Sequence, residues 1–244
     1  MKADRSKTGI GDLDKLTEGG IPRGSKLLLL GGPGTGKTIF GLQYLWNGAT
    51  QFKEKGMYLS FEMKLNQLDQ TSSGFDWDFS KIEDQVKFCR YSLAGQLHAD
   101  ALSDMVEKVK EFQPERIVFD SLTAYIDFTM PRIMKSQEFA NSGSEVAARY
   151  KIHDLVDKLT DAAPDSTMIL IDEERSTGHQ VSGFIADAIL QLSYMSIGEI
   201  QTRTALIKKM RYTSHAEETL PLTIEKGKGL VIKSPVTVYD LHRK

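Results

Sequence analysis

Cysteine is almost absent from this chain. Cys89 is alone among 244 residues, which excludes an internal disulfide, leaves no thiolate set for zinc, and fits a reducing cytoplasm. Long apolar runs are missing as well: none approaches the ~20 residues needed to span a bilayer. The start, Met1 to Lys7, lacks the apolar core of a signal peptide. These absences predict a soluble cytoplasmic protein with no membrane partner. Charge of one sign is not in excess either, with a net of −2, so nothing draws the whole molecule to nucleic acid or an anionic surface. The five histidines, at 98, 153, 179, 215 and 242, have no metal-ligand spacing. Repeats, low-complexity tracts and linkers are also lacking, and the length suits one α/β domain spanning 1–244.

Against this background one motif stands out. Gly31 to Thr38 reads GGPGTGKT, a complete GxxxxGK[ST] phosphate-binding loop. It follows the apolar run Lys26 to Leu30 and opens a helical stretch. Gly32, Gly34, Thr35 and Gly36 would turn backbone N–H groups onto phosphate oxygens, aided by the positive end of the following helix. Lys37 would reach the outer phosphates, Thr38 would hold magnesium, and Ile39 would follow on the helix. A dinucleotide fold is excluded, since no GxGxxG can be drawn through these glycines.

Short apolar runs alternate with amphipathic stretches, as in βαβ units with a mostly parallel sheet. Strands are expected at Lys26–Leu30, Met57–Phe61, Val86–Arg90, Arg116–Phe119, Met168–Ile171 and Ala188–Leu192. Helices are expected at Phe40–Lys53, Ala101–Phe112 and Ser144–Leu159. After about residue 186 the helical periods stop. Ala205–Met210, Leu220–Ile224 and Leu230–Ile232 then read as an antiparallel extension on one sheet edge. The polar stretch Thr129 to Ser144 reads as a loop.

Three apolar strands end in an acid: Glu62, Asp120 and Asp172. In a parallel sheet all three would meet the phosphate loop at one edge. Phosphoryl transfer asks for a carboxylate that holds hydrated magnesium and another that orients or deprotonates water. By pattern alone Asp120 and Asp172 compete for the metal role.

Thr8-Gly9-Ile10 with Leu13-Asp14, Gly19-Gly20-Ile21-Pro22-Arg23-Gly24, the phosphate loop, Ala186 to Leu190, and Lys209-Met210-Arg211-Tyr212-Thr213-Ser214-His215 come in this order. Together they resemble a KaiC-like ATPase of the RecA/RadA superfamily along nearly the whole chain. The resemblance implies a RecA-like P-loop core acting as an ATPase on ATP and Mg2+, and self-assembly into a homohexameric ring with nucleotide at each boundary. It matches Glu62 to the catalytic glutamate and Asp120 to the metal-holding aspartate. Lys209, Arg211, Thr213 and His215 match residues that reach the neighbouring subunit's nucleotide, where an arginine would aid catalysis. Some family members carry two such domains in tandem; this chain would be one.

Departures from the family pattern bear on activity. Met63 stands where the family usually has a second glutamate, so Ser60-Phe61-Glu62-Met63 is closer to the single-glutamate motif of DnaB-type helicases. Gly183-Phe184 replaces the family's Ser-Thr pair, which excludes self-phosphorylation there. Glu225-Lys226 replaces Thr-Asp at the base-binding end, leaving Thr71, Ser72 and Glu225 as weak candidates for adenine contacts. Glu173-Glu174-Arg175 could sense the γ-phosphate or form a solvated charge cluster. Trp77 reads as a hydrophobic anchor. The favoured function is a ring ATPase whose slow turnover switches conformation or the binding of a protein partner. Its rivals are a RadA-like DNA-binding recombinase paralogue, with a thin basic lining of Arg132, Lys135, Arg175 and His179, and a protein kinase using the same site.

Overall fold

The computed structural model describes residues 4–91, 99–133, 143–174 and 182–234. In chain order the strands are β1 (Arg5–Ser6), β2 (Ile21–Pro22), β3 (Lys26–Gly31), β4 (Gly56–Ser60), β5 (Val86–Arg90), β6 (Arg116–Asp120), β7 (Thr167–Glu173), β8 (Ala188–Ile197), β9 (Ile200–Met210), β10 (Leu220–Glu225) and β11 (Gly229–Ile232). The helices are α1 (Leu13–Leu16), α2 (Lys37–Asn47), α3 (Leu65–Ser73), α4 (Ala99–Phe112), α5 (Leu122–Ile133) and α6 (Ser144–Ala162).

Strands β3 to β11 form one sheet in the order β11-β10-β9-β8-β3-β7-β6-β4-β5. The six from β8 to β5 are mutually parallel, and β9, β10 and β11 continue the sheet antiparallel. β1 and β2 form a separate two-stranded ribbon. The architecture is the expected one: a mostly parallel RecA-like sheet flanked by helices, with an antiparallel C-terminal extension. No helix among the described residues is long and apolar enough to cross a membrane.

The centre of the sheet holds because its inner strands β3, β7, β6 and β4 are buried on both faces, as a sheet covered on both sides requires. Alternation sends Leu27 and Leu29 of β3 into one hydrophobic cluster and Leu28 and Leu30 into the other. β7 repeats the division, with Ile169 and Ile171 on the first side and Met168 and Leu170 on the second. Helix α2 covers the first face with Phe40, Tyr44 and Leu45, and α4, α5 and α6 cover the second. Each fully buried Leu or Ile contributes about 1.5–3 kcal/mol.

Two expectations change. The helix expected over Phe40–Lys53 starts three residues earlier at Lys37 and ends as a π-helical turn, Gly48–Phe52, closed by Lys53 at φ 60°. The loop expected over Thr129–Ser144 is helical at both ends, since Thr129–Ile133 belongs to α5 and Ser144 opens α6; residues 134–142 lie outside the described residues. Leu122, Tyr125 and Ile126 are buried at helical spacing, and the Thr129 hydroxyl donates back to the Tyr125 carbonyl, 2.9 Å. A threonine so satisfied needs no loop. Helix α3 and the β1–β2 ribbon, neither expected from the sequence, complete the set.

One buried ion pair fastens the edge of the sheet opposite the phosphate loop. Arg116, wholly inaccessible, donates through Nε to Glu54 and through Nη1 to the Tyr44 carbonyl at 2.8 Å. Its guanidinium stacks 4.3 Å from the Tyr44 ring centroid and 5.2 Å from that of Phe52. Glu54 also receives Arg23 at 2.6 Å. Glu54→Ala would leave a guanidinium buried without its counter-charge, so chemical denaturation should report a loss of about 3–5 kcal/mol. The double change Glu54→Leu with Arg116→Met should recover most of that loss, because it removes both charges together.

Candidate active site

Six parallel strands put six carboxyl ends on one edge, and the chemistry-bearing residues collect there. The phosphate loop leaves β3. Two strands away, Asp120 closes β6, and Glu62 follows β4 beyond it. Gly34 and Gly36 adopt φ 74° and 109°, conformations that L side chains rarely accept. The turn at Gly36 aims the first N–H groups of α2 into the loop, making an anion site. Gly41, one turn on, is glycine for a different reason: a Cβ there would lie 2.8 Å from Val118, so the helix could not sit this close to β6. Thr35 closes the loop through its hydroxyl to the Gly32 carbonyl, 2.8 Å. Lys37 folds over it, with Nζ 2.7 Å from the Gly31 carbonyl and 3.0 Å from that of Gly32. Ile39 is half-buried against the core.

Asp120 is the electrostatic centre of this edge. The Thr38 hydroxyl lies 3.3 Å from its Oδ2 and the Tyr58 hydroxyl 2.5 Å from the same atom. Burial raises the Asp120 pKa to about 6, and the nearby Glu62 carboxylate pushes the same way; the Tyr58 and Thr38 hydroxyls and Lys37 oppose them. Two carboxylates and one ammonium leave negative charge in excess. A hydroxyl and a carboxylate are hard oxygen donors of the kind magnesium takes, so Thr38 and Asp120 fit the ion by both chemistry and charge. Glu62 is held from behind, its Oε1 accepting from the Ser121 hydroxyl. The Asp120–Ser121 peptide between them is cis.

Asp172, the rival for the metal role, has a different environment. Both of its oxygens accept side-chain hydroxyls, Oδ1 from Thr123 and Oδ2 from Ser182. Oδ1 also accepts the Glu173 backbone N–H at 3.1 Å. This carboxylate ties β7 to the start of α5 and to the segment before β8.

Lys209, Arg211, Thr213 and His215 are not brought to this edge. β9 runs antiparallel to β8, so its end lies level with the start of β3. The length of β3 separates that end from the phosphate loop, on the order of 15–20 Å. Lys209 Nζ contacts the Ala186 carbonyl at 2.5 Å, and the Arg211 guanidinium lies 3.6 Å from Asp187. Thr213 donates to the Arg211 carbonyl at 3.2 Å, and His215 Nδ1 lies 3.1 Å from the Ala216 carbonyl.

Of the weak adenine candidates, Ser72 is buried with its hydroxyl on the Asp69 carbonyl, Thr71 bonds back to Gln67, and Glu225 pairs with Lys228. Trp77 is buried and stacked on Phe75 at 4.8 Å, an anchor as expected. Glu174 accepts from Gln191 at 2.6 Å. Lys135, Arg175, His98, His179 and His242, and the side chain of Arg132, lie outside the described residues.

Four residues at the site have no motif. Tyr58 and Ser121 orient the carboxylates, while Tyr194 and Arg203 flank the loop. The Tyr194 hydroxyl donates to the Gly34 carbonyl at 2.8 Å, and Arg203 approaches the same carbonyl at 3.3 Å with its guanidinium 5.0 Å from the Tyr194 ring centroid. Only the alternation of β8 and β9, which puts Tyr194 opposite Arg203, carried any signal of this pair.

The likeness to known proteins runs along nearly the whole chain. A UPF0273 protein of Pyrococcus furiosus is 32% identical over 244 residues, covering 93% of each chain. One from Thermotoga maritima is 29% identical, covering 93% of this chain and 95% of that one. The circadian clock oscillator protein KaiC of Thermosynechococcus vestitus is 28% identical over 233 residues, and the chain spans only 42% of its length. Among solved structures, a KaiC-like protein from Pyrococcus horikoshii superposes with a TM-score of 0.79 at 28% identity, covering 94% of this chain and 99% of that one. The family model for the KaiC ATPase matches residues 6–237, and with that span the chain belongs to the KaiC-like ATPase family.

Proposed function

We propose that this protein binds ATP with magnesium at the Gly31–Thr38 loop and hydrolyses it slowly. It does so in a ring of identical subunits, six by family likeness, in the cytoplasm, where turnover switches conformation or the binding of a protein partner. One observation carries the reading. Glu62, Asp120, Thr38 and Lys37 share one edge of the sheet, while Lys209 and Arg211 project from the opposite edge of the same subunit. A ring in which the amino edge of one subunit meets the carboxyl edge of the next would unite the two halves.

The loop N–H groups and Lys37 would bind the β- and γ-phosphates, and Lys37 would leave the Gly31 and Gly32 carbonyls to do so. Thr38 and Asp120 would hold magnesium, which supplies charge neutralisation at the phosphate oxygens. Glu62, steadied by Ser121, would orient a water molecule and accept its proton as the water oxygen bonds to the γ-phosphorus. The bond from that phosphorus to the β-phosphate oxygen breaks, and ADP leaves with the bond pair. Lys209 and Arg211 from the neighbour would stabilise the spread negative charge, an arginine so placed contributing about 10³–10⁵ in rate. Met63 packs half-buried against the core, so a single glutamate carries the base role.

Three measurements test this. Glu62→Gln should cut phosphate release by about 10²–10⁴-fold while calorimetric ATP binding persists; equal loss of binding would sink the base assignment. Magnesium-ATP should raise the melting temperature of the wild-type chain and of Asp172→Asn, and should fail to do so for Asp120→Asn. At saturating ligand the wild-type gain corresponds to about 2.7 kcal/mol at 100-fold over Kd. Specific activity should fall on dilution through the assembly range, and Arg211→Ala should stay inactive at every concentration. A rate independent of dilution would contradict the shared site.

A further inference from the structure

The segment that carries Arg211 is short, exposed and conformationally unusual. Tyr212 follows Arg211 at φ 58° with 84% of its surface exposed, a left-handed conformation that non-glycine residues rarely adopt. Something must hold it, and the exposed Tyr212 ring does not.

The holding group is Arg5. Its guanidinium reaches across from β1, 207 residues earlier in sequence, with Nη2 donating to the Tyr212 carbonyl at 3.2 Å and Nη1 to the Thr213 hydroxyl at 2.6 Å. Nη1 also meets the Gly20 carbonyl at 3.2 Å, and Nη2 meets Glu18 at 3.3 Å. Thr213 passes the constraint on, donating to the Arg211 carbonyl at 3.2 Å. Arg5 is itself well anchored, its side chain only 12% exposed. The next residue, Ser6, shares a 2.7 Å hydrogen bond with Tyr44 of α2, and Asn47 of α2 donates to the Thr8 and Gly9 carbonyls at 2.9 and 3.1 Å. Arg5 is therefore a rigid clamp joining the β1–β2 ribbon to both residues that follow Arg211.

We propose that Arg5 is a positioning residue that acts through Arg211: it fixes the Arg211–Thr213 backbone so that the arginine is presented to the nucleotide of the neighbouring subunit. This rests on the shared-site reading above. A planar guanidinium with five donors in a fixed fork can serve two backbone carbonyls, a hydroxyl and a carboxylate at once, one acceptor more than the three donors of an ammonium can reach. Misplacing a catalytic group by about 1 Å can cost about 10²-fold in rate. The consequence is distinctive: loss of Arg5 in one subunit harms the site of the next subunit and spares its own.

The test mixes subunits. Arg5→Gln alone should lose about 10- to 100-fold in ATP turnover, with KM for ATP changed less than about twofold. Mixed with a large excess of Glu62→Gln subunits, which lack their own base but offer an intact Arg5–Arg211 arm, the Arg5→Gln subunits should recover wild-type turnover per active site. Arg211→Ala in the same mixture is the control for the underlying reading. If Arg211→Ala recovers and Arg5→Gln does not, Arg5 serves its own subunit and the positioning role is overturned, while the shared site stands. If neither recovers, the shared site falls and the positioning role falls with it. Undiminished turnover of Arg5→Gln alone also overturns the proposal. Should Arg5→Gln fail to fold, Arg5→Lys is read in the same mixture, where its smaller defect should recover in the same way.

Discussion

Strand direction is the constraint on which the rest depends. Six neighbouring strands run parallel, so every loop at their carboxyl ends opens on one edge. The phosphate loop, Glu62, Asp120 and Asp172 need no special folding to come together there. The price of this arrangement falls on β9. Its antiparallel course carries Lys209 and Arg211 to the amino edge, and no side chain is long enough to bring them back across the length of β3. A subunit built this way presents the phosphate loop on one edge and a cationic arm on the opposite one.

The parts legible in the sequence are those whose signal is local. All nine strands of the sheet were visible as apolar stretches, most plainly Leu27 to Leu30 in an inner strand buried on both faces, although β8 runs past the expected Leu192 to Ile197 and β9 starts at Ile200 rather than Ala205. The phosphate loop was visible because its φ angles leave little choice but glycine at Gly34 and Gly36. Helix α5 was hidden by its setting. It begins two residues after β6 ends, with only Ser121 between, and Pro131 near its far end is a breaker signal. The hydroxyls that orient the carboxylates were equally hidden. Tyr58 reaches Asp120 across a strand pair, and Ser121 reaches Glu62 across the same pair. Tyrosine in a strand and serine at a strand end are ordinary, and their meaning arises only from register.

Asp120 and Asp172 illustrate the limit most directly. Asp120 follows Ile117, Val118 and Phe119, Asp172 follows Met168 to Ile171, and nothing local separates them. The structure does so by the company each keeps. Asp172 accepts two short hydroxyl side chains, one on each oxygen, and these spread its charge over neutral donors. Asp120 shares a single oxygen between Thr38 and Tyr58 and faces another carboxylate. Burial beside a like charge raises its pKa, a penalty that a divalent cation would reverse. The difference lies in Thr123 and Ser182 as much as in the acids themselves.

The arm at the amino edge is held in two ways of unequal strength, and the inequality suits the proposed role of a group that reaches a neighbouring subunit. Its backbone is fixed firmly, by Arg5 on the Tyr212 carbonyl and the Thr213 hydroxyl and by the Arg211 N–H on the Asp187 carbonyl at 3.0 Å. Its charged end is held loosely. The Arg211 guanidinium is more than half exposed and lies 3.6 Å from Asp187, a contact of the kind worth at most about 1 kcal/mol in water. A charge-assisted hydrogen bond to a phosphate contributes about 1.5–3 kcal/mol. On these magnitudes the side chain would exchange Asp187 for a neighbour's phosphate downhill, without disturbing the backbone that aims it. Specificity of aim and freedom of the tip are then separate properties, carried by β1 and by Asp187 in turn.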